Sequence, residues 1–189
     1  MFKRLMSALS PASALNAQRQ RLYGRVVAQA RSAELYSEMR VPDTFDGRLS
    51  MMILHLYPIH RRFRLAGDKK SGQLSQGLFD AFFEDMDAAL REAAVGDQAV
   101  PKRLAKVTRV FYGHAKALDV LMDGAAAARQ EAMEAFLASN LIDPDETADR
   151  AALGRYLLAS YDTIEAQPLR ELAGVGPTYA PFVPTPEAV

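Results

Sequence analysis

The 189-residue chain is long enough for one domain with a substantial core, and 49% hydrophobic with 24% charged residues is ordinary for a soluble globular protein. It has no cysteine, which excludes disulfides, thiolate metal sites and cysteine nucleophiles and fits a reducing compartment, and its three histidines (His55, His60, His114) leave little material for zinc or haem. Net charge is zero but unevenly spread: residues 1–64 hold 11 Lys/Arg against 4 Asp/Glu, a net of +7, and residues 65–189 hold 12 against 19, a net of −7. This split either helps the two parts pack together or lays a basic face on the first helices, suited to anionic lipid head groups or ribosomal RNA.

In chain order, Met1 to Leu9 sets Phe2, Leu5, Met6 and Leu9 beside Lys3 and Arg4. That apolar part is too short for a secretory signal, leaving a small interfacial helix or a frayed terminus. Residues 16–39 carry Leu22, Tyr23, Val26, Val27, Ala30 and Ala33 at helical spacing, which predicts one helix. A loop at 40–47 ends it, and Asp43 or Thr44 can cap the next helix, with Asp46 near its positive end. That next helix is expected over about Arg48–Leu65 with a bend near Leu54–Tyr57, because Pro58 lies inside it and removes a backbone hydrogen bond. Its apolar core, Leu49–Ile59, is interrupted by His55 and falls short of the ~18 apolar residues a bilayer crossing needs.

Residues 66–72 read as a linker loop. A third helix, 73–94, has the stripe Leu74, Leu78, Phe79, Phe82, Phe83, Met86 and Leu90 and an acidic row of Asp80, Glu84 and Asp87. Gly96 suits a helix end and Pro101 the first turn of a fourth helix. The fourth has an apolar face (Leu104, Val107, Phe111, His114 or Ala115, Leu118, Leu121) and a basic one (Lys102, Arg103, Lys106, Arg109). A fifth covers about 125–140. A sixth opens at Asp143-Pro144-Asp145-Glu146 and buries Leu153, Tyr156, Leu157, Ser160 and Ile164. From Gln167, five prolines are expected to prevent regular structure. The chain thus reads as an all-α, single-domain bundle of about six helices: a short segment at 1–15, a helical domain at 16–166 and a proline-rich C-terminal tail at 167–189.

Candidate chemistry is sparse. The acidic row resembles part of a di-iron bundle, but Glu-x-x-His occurs nowhere, and Asp87 lies one turn from Arg91, as on a solvated face. His55 and His60 are five residues apart, roughly 140° around a helix, so they cannot share a metal. His60, beside Arg61 and Arg62, is expected to be exposed. His55 is either a core histidine satisfied by a hydrogen bond or the floor of a pocket that positions a partner. His114 reads as structural, with Gly113 permitting a close helix approach. No phosphate loop, nucleophile elbow or Ser/His/Asp arrangement is visible, so no metal, cofactor or catalytic residue is assigned and a non-enzymatic helical binding domain results. A carrier of quinone, lipid or haem is the alternative, since bundles enclose apolar cavities.

Four motifs carry a family resemblance over roughly residues 20–125: Asp46-Gly47-Arg48 with Leu54-His55, Asp85-Met86-Asp87 with Leu90-Arg91-Glu92, Gly96-Asp97 with Val100-Pro101-Lys102, and Phe111-Tyr112-Gly113. In this order they resemble the ubiquinol–cytochrome c chaperone family, which assists assembly of the ubiquinol–cytochrome c reductase of respiratory membranes. Ala93-Ala94 and His114 depart from its pattern in detail. The resemblance implies an assembly factor without a cofactor, binding newly made cytochrome b or an assembly intermediate. It also implies a small second assembly protein and ribosome contact as in mitochondrial members, and a peripheral place at a bacterial inner membrane on the cytoplasmic side, or in the mitochondrial matrix if eukaryotic. With the residue reading it places a client-binding groove beside the proline-bearing helix. Leu54, His55 and Tyr57 are expected at the groove, Asp43, Thr44, Asp46, Gly47 and Arg48 at its loop, and Tyr112 as a further contact. Arg19, Arg21 and Arg25 are expected to face the membrane.

Overall fold

The computed structural model describes residues 11–92, 99–141 and 147–183, and every regular element among them is helical. The helices are α1 (Pro11–Ala30), α2 (Ala33–Ser37), α3 (Phe45–Ala66), α4 (Lys69–Glu92), α5 (Val100–Asp123), α6 (Arg129–Asn140) after a 3₁₀ turn at Ala126–Ala128, α7 (Arg150–Ala166) and α8 (Leu169–Gly174). This is the expected all-α bundle. The N-terminal stretch 1–9, Ala93-Ala94, Gly96-Asp97 and Asp143–Glu146 lie outside the described residues.

Helix α3 is the centre, packing against α1, α4, α5 and α7. Every residue from Leu49 to Ile59 is buried, so the helix is enclosed on all sides along this stretch. Its start is set by the motif read above. Thr44 is the N-cap, its hydroxyl accepting the Gly47 N–H at 3.1 Å. The helix therefore begins at Phe45, three residues earlier than expected. Gly47 is required there, since a Cβ would run into the Pro42 carbonyl oxygen. Asp43 pairs with Arg48 on the exposed side of the turn.

Pro58 lies inside α3 without ending it. Lacking an N–H, it leaves the Leu54 carbonyl without its helical donor. The Tyr161 hydroxyl of α7 donates to that oxygen at 2.9 Å. The next carbonyl, of His55, accepts the hydroxyl of Tyr179 at 3.0 Å. Tyr161 is buried and Tyr179 half-buried, and desolvation holds the ionisation of both well above the usual range, so both remain donors.

Several boundaries differ from the sequence reading. One helix was expected over 16–39, but two form. Ser32 is extended at the break (φ −62°, ψ 139°), and its hydroxyl donates to the Gln29 carbonyl, competing with helix continuation. The 66–72 loop shrinks to Gly67 and Asp68. Gly67 (φ +69°) ends α3 in the left-handed region, and Asp68 accepts the N–H groups of Lys70 and Ser71 at 3.0 Å, starting α4 at once. Among described residues the start of α7 is capped by Asp149, which accepts from Ala152 N–H.

The expected absence of regular structure after Gln167 is also corrected. Helix α8 forms between Pro168 and Gly176, because the first proline sits at the N-cap, where no N–H is needed. Gln167 then stitches the following segment, donating to the Gly176 carbonyl and accepting from Thr178 N–H. Ala180 N–H meets the Ser160 hydroxyl, and Phe182 stacks on Tyr156 at 4.5 Å.

Part of the uneven charge serves packing. Arg61 pairs with Asp119, Asp123 and Glu165, Arg64 with Asp119, and Arg19 with Glu84, each joining a cation of residues 1–64 to an acid further on.

Two outcomes follow from this geometry. Gly47→Ala should lower stability by roughly 1–3 kcal/mol or more in urea unfolding, since backbone must move to admit the methyl group. Tyr161→Phe should cost about 1–3 kcal/mol by orphaning the Leu54 carbonyl. That cost should shrink in a Pro58→Ala background, where the restored N–H supplies the donor, and a double-mutant cycle without coupling would contradict the assignment.

Candidate functional site

The residues expected to bind a partner fall into two groups. Leu54 and His55 do not border a groove: they are 2% and 0% exposed, inside the bundle, while Tyr57, 1% exposed, forms only the back of the hollows beside Pro58 and Tyr112. The expectation is corrected because α3 is covered on every side by α1, α4, α5, α7 and the C-terminal segment. His55 takes the core reading. Its Nδ1–H donates to the Met51 carbonyl at 2.7 Å, so its Nε2 accepts, and the Tyr156 hydroxyl donates to it at 2.9 Å. Gln29 of α1 donates in turn to the Tyr156 oxygen at 2.8 Å. Burial lowers the His55 pKa to about 4 against the opposing Met51 bond, which keeps the ring neutral. Tyr57 donates to Asp119 at 2.9 Å.

The other two histidines are also packed. His60 is not exposed as expected: its Nδ1 bonds the Ser75 hydroxyl at 2.7 Å and its ring lies against Phe79 and Phe111. His114 is buried against Phe136, and its Nδ1 has no hydrogen-bond partner. Desolvation lowers the pKa of both. Gly113 is exposed with open space where a Cβ would go, so it permits no close helix approach. Among the described residues no three His, Asp or Glu side chains stand together as a metal site, and the acidic row is spread over Gln76–Asp80, Arg19–Glu84 and Asp87–Arg91 contacts.

Of the loop residues, Asp46 borders a groove, at the start of α3 rather than at its proline. It measures about 610 Å³. Phe45, Asp46, Leu49 and Ser50 form one wall, Leu90 of α4 and Val107, Val110 and His114 of α5 the floor, Arg103 and Lys106 a cationic rim, and Ser139 and Asn140 of α6 the far end. Phe45 is 45% exposed although large and apolar. Asp43 and Arg48 are exposed and paired with each other at the turn that leads into α3, which Thr44 and Gly47 hold. Sequence reasoning missed Phe45, Leu90 and the α5 rim as parts of one site. The basic face of α5 was the one signal pointing there.

Tyr112 lies elsewhere, roughly 200° around α5 from both Val110 and His114. It is 56% exposed and packs on Phe79. Two smaller hollows, each about 300 Å³, adjoin it. Arg21 and Arg25 are exposed one turn apart on α1. Arg19 is instead half-buried, its stem against Gly77 of α4 and its head toward Glu84 at 3.7 Å. Among the described residues no helix is long and apolar enough to cross a membrane.

Comparison with known proteins adds two findings. The profile of the family described as ubiquinol–cytochrome C chaperone matches residues 37–179, from just before the Thr44 cap to Tyr179. A crystal structure of the Cbp3 homolog from Brucella abortus superimposes with a TM-score of 0.79 at 33% identity, covering 96% of this chain and 98% of that one. No curated protein matches significantly.

The buried neutral histidine makes stability depend on pH. The unfolded chain takes up a proton near pH 6.5, while the fold resists doing so until about 4, so stability is full above 6.5 and falls as pH drops between these values. His60 and His114 act in the same direction. Urea midpoints should decline from pH 7 to pH 5, with His55 alone contributing about 2 kcal/mol. His55→Gln should be less stable at pH 7 but show a shallower decline.

Proposed function

Since this chain belongs to the ubiquinol–cytochrome c chaperone family, and so serves assembly of ubiquinol–cytochrome c reductase, we propose that it holds newly made cytochrome b at the membrane surface until that subunit is incorporated. The family match over residues 37–179 carries the reading, because it spans the α3 cap, the groove and the tyrosine-sealed core. The geometry agrees with a holding task. A newly inserted membrane subunit exposes apolar helix surface and polar loops before its haems and partners arrive, and a groove with an apolar floor and charged rim can cover both.

The contact residues are Phe45 and Asp46 at the groove, with exposed Asp43 and Arg48 beside them and Thr44 and Gly47 fixing the turn. Tyr112 offers an aromatic contact on another face, available to a small second assembly protein. Arg21 and Arg25 lie toward anionic head groups, giving a peripheral membrane contact on the side where cytochrome b loops emerge. Leu54, His55 and Tyr57 take part only by keeping the scaffold rigid.

An enclosed carrier of quinone, lipid or haem fits less well. The hollow beside Pro58 measures about 10 Å³, room for about one water, because Tyr57, Tyr161 and Met122 fill the space a ligand would need.

Deletion of the gene should strongly reduce assembled reductase and spectroscopic cytochrome b while leaving cytochrome b messenger RNA unchanged. Normal reductase in the deletion strain would remove this reading. Arg21→Glu/Arg25→Glu should shift the folded protein from membrane to soluble fractions at physiological salt.

A further inference from the structure

Resting on that reading, we infer that the groove at the start of α3 takes an amphipathic helical segment whose carboxylates sit against Arg103 and Lys106. Three observations converge. The first is charge. From Val100 to Leu118, α5 carries Lys102, Arg103, Lys106, Arg109 and Lys116 and no acidic residue. All five cations are exposed, and none forms an ion pair among the described residues. Elsewhere the cations at Arg19, Arg61, Arg64, Arg91 and Arg129 are paired. Among the described residues lining the groove Asp46 is the single carboxylate, so its rim presents excess positive charge.

The second is shape. A volume of about 610 Å³ lies within the ~300–1,000 Å³ range of ligand clefts, and Leu90, Val107, Val110 and His114 on its floor with Leu49 on its wall make the lining largely apolar. Phe45 stands at the edge, half-exposed, where it can close on an apolar side chain. A bilayer surface is flat at this scale and would meet the rim cations without reaching the floor, so a segment that can enter the groove is the better occupant. The third is the available recognition mode. Among the described residues there is no strand edge to extend, and an apolar floor between helices with a cationic rim suits an amphipathic helix laid in the groove, anchored at i, i+3, i+4 and i+7.

The test uses the full chain and a fluorescent peptide of about 18 residues, with leucine on one helical face and glutamate on both flanks, beside a control with glutamine in place of glutamate. Anisotropy should show the glutamate peptide binding at least about tenfold more tightly, with the difference shrinking in high salt. Arg103→Glu/Lys106→Glu should lose about tenfold or more with an unchanged urea midpoint, while Arg21→Glu/Arg25→Glu should bind as the parent does. Equal binding of both peptides, or equal loss in the two double variants, overturns the inference. So does failure to bind the peptide while vesicles containing phosphatidylglycerol are held through Arg103 and Lys106. In cells, full reductase assembly by Arg103→Glu/Lys106→Glu beside a defective deletion strain would overturn the groove assignment and leave the chaperone reading standing. A normal deletion strain would remove the chaperone reading, with peptide binding still measurable on its own.

Discussion

A proline in the middle of a fully enclosed helix sets the terms for the rest of this molecule. From Leu49 to Ile59 no side of α3 meets water, so the carbonyl freed by Pro58 must be satisfied by protein. Tyr161 supplies the donor to Leu54, and Tyr179 reaches the His55 carbonyl beside it. Each tyrosine brings its own element. Tyr161 fixes α7 against α3, and Tyr179 pulls the C-terminal segment across them both. His55, Tyr156 and Gln29 extend the chain of hydrogen bonds to α1. An unfilled carbonyl in this core would cost about 1–3 kcal/mol, so the placement of α7 and the path of the C-terminal segment are tied to the proline, and the His55 ring is fixed beside them by Met51 and Tyr156.

Charge acts at a second level, between elements rather than within them. Arg61 and Arg64 on α3 meet acids on α5 and α7, and Arg19 on α1 meets Glu84 on α4. Two groups of cations stand outside these pairs on exposed helix faces: Arg21 and Arg25 on α1, and the row along α5. Packing and function are thus complementary uses of one charge distribution. The surface available for partners is what the interhelical pairs leave unmatched.

The helices of the bundle were legible because each long one repeats its apolar residues at helical spacing. Leu74, Leu78, Phe82, Met86 and Leu90 are all buried on α4, and Leu153, Tyr156, Leu157, Ser160 and Ile164 on α7. The Thr44 cap and the first-turn place of Pro101 were legible for the same local reason. Boundaries failed where a side chain overrode pattern. Ser32 broke a helix by bonding Gln29, and Asp68 started one inside what looked like a loop. The site was less legible than the fold. His55 points to a pocket because it interrupts an apolar run, with Leu54 and Tyr57 placed beside it, yet such an interruption marks a satisfied core polar group as readily as a pocket. His60 looked exposed beside two arginines, but its ring fits between Phe79 and Phe111.

What the sequence determined by itself is everything that depends on near neighbours: helical periodicity, the Thr44–Gly47 turn, the proline that withholds one donor, and the motif order shared with the ubiquinol–cytochrome c chaperones. Only the tertiary structure decided who answers that proline and where the groove lies. Leu54 and Tyr161 are 107 residues apart, and the groove gathers residues from Phe45 to Asn140. No local pattern encodes such meetings, because they arise from burial of whole helix faces against one another.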